Sequence, residues 1–137
     1  MHMYKLSEHV AVAPQILPTD VPAIAAAGYK VLINNRPDGE DPNQPSNAEI
    51  EAAALAAGLE YHYMPVNGMN FPGPGFDQMT DLMDDPERPV FAFCRSGTRC
   101  ANLWVSSREP AQINDAAAVA QGYGLDLGFA QHYLSRK

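Results

Sequence analysis

The 137-residue chain is short of cysteine, of basic residues and of long apolar runs, and each scarcity excludes a class of protein. Two cysteines, Cys94 and Cys100, cannot make a disulfide framework, and alone they cannot make a zinc site, which draws four ligands at paired spacings. Nine Lys and Arg against 16 Asp and Glu give a formal charge of −7, which argues against the basic stripe of a nucleic-acid binder. No apolar run reaches the roughly 20 residues needed to span a bilayer, so no membrane partner is expected. No apolar core follows Met1–Lys5, so no signal peptide is expected and a cytoplasmic location is the default. His9, His62 and His132 are scattered, with no metal-ligand spacing among them.

What is present is ordinary globular composition, 46% hydrophobic and 18% charged. A chain of this length buries roughly two-thirds of its unfolded surface, so one domain over residues 1–137 is expected to fold without metal or cofactor. Twelve Pro and ten Gly fall as punctuation between apolar segments, with no repeat or low-complexity tract.

The segments alternate in type. Val10 to Val12, Lys30 to Asn34, Tyr61 to Val66 and Pro89 to Phe93 read as strands. Val21 to Ala27 reads as a helix stopped by Gly28. A Ser46-x-x-Glu49 capping box opens a second helix, to about Ala57. Phe76, Met79, Leu82 and Met83 share a helical face, and three more helices are expected at 101–107, 114–121 and 125–134. This order predicts an α/β fold: a central, mostly parallel sheet of about four to five strands with helices on both faces. Loops after Asn34, Val66 and Phe93 should then meet at the carboxyl edge of the sheet.

One of those loops carries chemistry. Cys94-Arg95-Ser96-Gly97-Thr98-Arg99 lies between an apolar strand and a helix. Backbone N–H groups in such a turn, with the positive end of the helix, make an anion nest, and Gly97 grants the conformation. Arg99 adds a bidentate fork. Cys94 at the mouth would sit as a thiolate, an activated nucleophile beneath a bound anion. Arg95, Ser96, Gly97, Thr98 and, from the first loop, Arg36 complete the expected anion-binding set. Cys100 reads as a core thiol or, alternatively, as a resolving partner for Cys94.

The hexapeptide Cys94 to Arg99 resembles the active loop of cysteine-dependent phosphatases and rhodaneses. Together with Val31 to Glu40 and Tyr63-Met64-Pro65-Val66, it is similar to the bacterial beta-lactamase hydrolase-like protein phosphatase-like domain family, over roughly residues 5 to 108. The resemblance implies a dual-specificity-phosphatase-like fold and a metal-free mechanism. Cys94 would attack phosphorus of a small phosphomonoester, and Arg99 with the loop N–H groups would hold the equatorial oxygens. Three features depart from tyrosine and dual-specificity phosphatases. Four residues separate Cys94 from Arg99, where those enzymes have five and rhodaneses have four. Cys100 replaces their hydroxyl residue. No acid stands at Asn67 to Asn70, where theirs resides. Asp38 is therefore the first candidate acid, followed by Glu40 and Asp41, then Asp77; equally, Asp38 and Glu40 are turn residues around Gly39, and Arg36 pairs with Glu40. Alternatives are a rhodanese-like sulfur transferase with a persulfide on Cys94, and a non-catalytic anion-binding module. The sequence leaves the oligomeric state open.

Overall fold

The computed structural model describes residues 1–137. Five strands, Tyr4–Ser7 (β1), Val10–Ala13 (β2), Val31–Asn34 (β3), Glu60–Tyr63 (β4) and Val90–Phe93 (β5), form one sheet in the order β1-β2-β5-β3-β4. Every residue of β2, β3 and β5 is buried, as expected of strands covered on both faces. These three strands and β4 pair in parallel; β1 turns back on β2 as an antiparallel edge. The sequence pattern did not separate β1, because only Leu6 of its four residues is buried.

Six helices cover the sheet: Val21–Ala26 (α1), Asn47–Ala56 (α2), Phe76–Met83 (α3), Thr98–Ser106 (α4), Ile113–Gly122 (α5) and Gly128–Ser135 (α6). The period-2 alternation of strand side chains divides the core between two faces. Ala11, Leu32, Phe91 and Phe93 pack with Val21, Ile24, Ile50 and Ala54, beneath α1 and α2. Val12, Ile33, Val90 and Ala92 pack with Met79, Leu103, Ala116 and Ala130, beneath the other four helices. Cys94 continues the second set, in phase with Val90 and Ala92. Chain crossovers leave β3 for one side and return to β5 on the other, so the crevice beyond these two strand ends is the switch point where α/β sheets bind ligands.

Two local devices set the rim of that crevice. The capping box of α2 forms as its sequence predicts, with Ser46 Oγ accepting Glu49 N–H at 3.2 Å. Gly97 has φ 88°, and this left-handed residue lets the chain turn from the loop into α4. The helix consequently starts at Thr98, three residues before its expected beginning.

Asn102, fully buried on α4, bolts the carboxyl-terminal helices to the site. Its Nδ2 donates to Thr98 O at 2.7 Å and to Asp126 O at 2.8 Å, and its Oδ1 accepts Ala130 N–H at 2.8 Å. Asn102→Ala leaves these backbone groups without their partner in the interior. The expected destabilisation is about 2–4 kcal/mol, at roughly 1 kcal/mol or more per orphaned group. Urea unfolding followed by circular dichroism measures it. A loss under about 0.5 kcal/mol would mean that the carboxamide is not what holds α6 in place.

Candidate active site

β5 delivers Cys94 to the crevice floor, and the N-terminus of α4 closes over it. The Gly97 N–H donates to Cys94 Sγ at 3.1 Å. The Cys94 pKa falls from the usual thiol value to about 6. The Cys100 thiol beside it is the largest cause; burial opposes the shift, while the backbone N–H groups of Cys100 and Ser96 and the charge of Arg99 favour the thiolate. Burial pushes the Cys100 thiol well up, and the neighbouring Cys94 adds to this, so Cys100 keeps its proton. Both cysteines are fully buried, Cys94 just beyond β5 and not at the mouth of the nest as expected, Cys100 on α4 itself. Its burial bears out the core reading of Cys100, and its place directly after Arg99 is the one where the resemblance to phosphatases predicts a hydroxyl donor.

Thiolate absorbance at 240 nm should report this directly. Between pH 4 and 9 the absorbance of Cys94 should rise with a midpoint near 6. Cys100→Ala, which removes the largest stabilising group, should move the midpoint toward that of an ordinary thiol, about 8.5. An unshifted midpoint would assign the thiolate to the backbone nest alone.

Arg99, the second residue of α4, points back across the crevice. Its Nη1 donates to Glu40 Oε2 at 2.9 Å and to Val66 O at 3.0 Å; its Nη2 donates to Glu40 Oε1 at 2.8 Å. A guanidinium carries five N–H groups. Glu40 takes the Nη1–Nη2 edge and Val66 the outer Nη1 hydrogen. The Nε–H and the second Nη2–H, two parallel donors, are left for an oxyanion.

The three loops expected at this edge do meet, with one exchange of roles. Asp38, expected as the first candidate acid, is engaged elsewhere: its Oδ1 accepts the Asn47 N–H at 2.7 Å, at the start of α2. Gly39, at φ 79°, reverses the chain between Asp38 and Glu40, so it is Glu40 that reaches Arg99. Burial pushes the Glu40 carboxyl up, but hydrogen bonds from Arg99 and Arg36 outweigh it and hold the pKa below the ordinary range. Glu40 is therefore a carboxylate at neutral pH and orients the guanidinium.

Arg36 follows the alternative reading of the sequence, a pairing with Glu40. It is buried, with Nε on Glu40 Oε1 at 3.0 Å, Nη1 on Gln15 Oε1 at 3.0 Å and Nη2 on Asp41 Oδ2 at 2.6 Å. These partners engage all three of its nitrogens and the side chain is almost wholly buried, so Arg36 holds the 36–41 loop together. Asp41 lies 3.9 Å from Arg95, whose side chain is otherwise exposed. Ser96 Oγ and Thr98 Oγ1 lie 2.9 Å apart at the lip of the nest. Asp77 sits in the first turn of α3, outside this cluster of ion pairs. No three His, Cys, Asp or Glu side chains converge as metal ligands.

The chain has relatives among known proteins. The family model of the beta-lactamase hydrolase-like protein, phosphatase-like domain, matches residues 2–111. The chain belongs to that family. It is 35% identical over its whole length to the beta-lactamase hydrolase-like protein of Agrobacterium fabrum, and 33% identical to that of Xylella fastidiosa strain 9a5c. It spans 32% of the length of each of these relatives. Among solved structures, a candidate phosphatase of Neisseria meningitidis is 33% identical, with a TM-score of 0.79 and coverage of 99% of this chain and 98% of that one. The catalytic core of the PP-IP phosphatase SIW14 of S. cerevisiae, 10% identical, aligns over 97% of this chain and 83% of that one at a TM-score of 0.64, a likeness of fold alone. The phosphatase-like domain of this family is thus an α/β sheet of the cysteine-phosphatase kind. Its short Cys94–Arg99 loop still brings the cysteine, the N–H groups and the arginine to one crevice.

Proposed function

We propose that this phosphatase-like domain hydrolyses small phosphomonoesters through a phosphocysteine on Cys94. The observation that carries the reading is the pairing of a thiolate floor with the open Nε–Nη2 edge of Arg99. Arg99 and the N–H groups of the loop hold the phosphoryl oxygens and neutralise the charge that spreads onto them. The Cys94 electron pair forms an S–P bond as the P–O ester bond breaks. The departing oxygen leaves as an oxyanion that takes its proton from water. A second water then attacks phosphorus, the S–P bond breaks, and orthophosphate and the thiolate are released. No metal enters this scheme, because positioning and charge stabilisation are supplied by the loop.

With Asp38 bound to the start of α2, Glu40 ionised on Arg99 and Asp41 paired with Arg36, the mechanism proposed here assigns no protein acid to the leaving oxygen. The domain should accordingly favour aryl esters, whose oxygens leave without a proton, over alkyl esters. The test pairs two assays on one preparation: phosphate release from p-nitrophenyl phosphate and from an alkyl phosphate, and thiocyanate formation from thiosulfate and cyanide. Phosphate release faster from the aryl ester supports the reading. Thiocyanate alone would transfer the site to sulfur chemistry, and neither product with retained phosphate binding would leave a non-catalytic module.

A further inference from the structure

Beyond the crevice, the loop after Val66 and the helix α6 enclose a cleft of about 420 Å³ that the anion nest does not use. Its walls are aromatic. Phe71 stacks on Phe129 with ring centres 5.4 Å apart and meets the Tyr133 edge at 6.2 Å. Gly68 allows this approach, since a Cβ there would stand 3.3 Å from the Phe129 ring. Its rim carries His132, Arg136 and Lys137, with no Asp or Glu in the lining. In a chain of charge −7 that is unusual. Of its nine Lys and Arg, five are ion-paired, namely Arg36, Arg88, Arg95, Arg99 and Arg108. Only Lys5, Lys30, Arg136 and Lys137 lack a carboxylate partner, and two of those four share this cleft.

Hydrogen bonds tie both walls of the cleft to the nest. Arg99 holds Val66 O, and Gly68 follows two residues later, so the near wall begins within about 7 Å of that residue along the chain. On the other side, the Asn102 carboxamide joins Thr98 O of the nest to Ala130 N of α6.

We propose that this cleft is a second subsite, and that the substrate is a small phosphomonoester with a flat apolar body and a second anionic group remote from the phosphate. Phe71, Phe129 and Tyr133 flank the body, while Arg136 with its neighbours receives the second anion. The assignment rests on the phosphatase reading for the position of the first anion.

Phenyl phosphate and 4-carboxyphenyl phosphate differ only in that second anion. Binding of both, and of orthophosphate, is measured by calorimetry on the Cys94→Ser protein, so that turnover does not intervene. The carboxylated ester should bind roughly tenfold tighter, the scale of one charge-assisted contact. The ratio of the two affinities should fall to about one in Arg136→Glu and stay high in Lys30→Glu, which makes the same change of net charge away from the cleft. A ratio near one in the parent, or one that survives Arg136→Glu, would overturn the subsite while leaving the nest intact. Failure of orthophosphate and both esters to bind would overturn the nest, and the subsite with it.

Discussion

Cys94→Ser should abolish phosphate release from p-nitrophenyl phosphate, by about 10⁴-fold or more, in a protein that still folds and binds orthophosphate. The expectation follows from ionisation. A group with a pKa of about 6 is roughly nine-tenths thiolate at pH 7. A serine hydroxyl in the same nest remains a neutral alcohol, with no base beside it to take its proton. The donors that stabilise the thiolate, the Gly97 N–H and its neighbours, remain aimed at the same point. Ground-state binding of a dianion therefore survives and can improve, because the thiolate no longer repels it. Losing a nucleophile of this kind removes the chemical step and not the binding. Steady-state kinetics and calorimetry on the purified variant check both halves. Retention of more than about one-hundredth of the parental rate would show that the phosphoryl group does not pass through Cys94.

The same donors explain how much of this site was legible in the sequence. A glycine, an arginine and a cysteine between an apolar strand and a helix are local, and local patterns are what a sequence displays. β5 and its alternation were legible for the same reason: Val90, Ala92 and Cys94 point one way while Phe91 and Phe93 point the other. The roles of Asp38 and Glu40 were not. They flank Gly39, and the left-handed turn there sends them in opposite directions, one to α2 and one to Arg99. Which acid meets the arginine depends on where α2 and α4 stand in space. For Arg36 the pairing with Glu40 was legible from the i, i+4 spacing, while Gln15 and Asp41 are brought to it only by the fold. The aromatic cleft was less legible still, because Phe71 and Phe129 stand 58 residues apart in segments that share no pattern.

Arg99→Lys tests whether geometry or charge is the essential property of the arginine, and should reduce kcat/KM for p-nitrophenyl phosphate by about 10²- to 10³-fold. Lysine keeps the positive charge but presents a compact ammonium with rotatable donors in place of a planar fork. It cannot hold both oxygens of Glu40, at 2.8 and 2.9 Å, and still offer two parallel donors to the phosphoryl group. It also gives up the bond to Val66 O, which ties the far loop to the crevice. The loss should fall mainly on kcat, since the fork matches oxygens whose charge grows as the ester bond breaks. A second readout separates this from general damage. Arg99 is the smallest of the causes that lower the Cys94 pKa, and lysine keeps its charge, so the thiolate midpoint should stay near 6 in the variant. Unfolding of the site would instead return that midpoint toward the ordinary thiol value. A variant with normal turnover and a normal midpoint would reduce Arg99 to a point charge, and the bidentate account of the nest would be wrong.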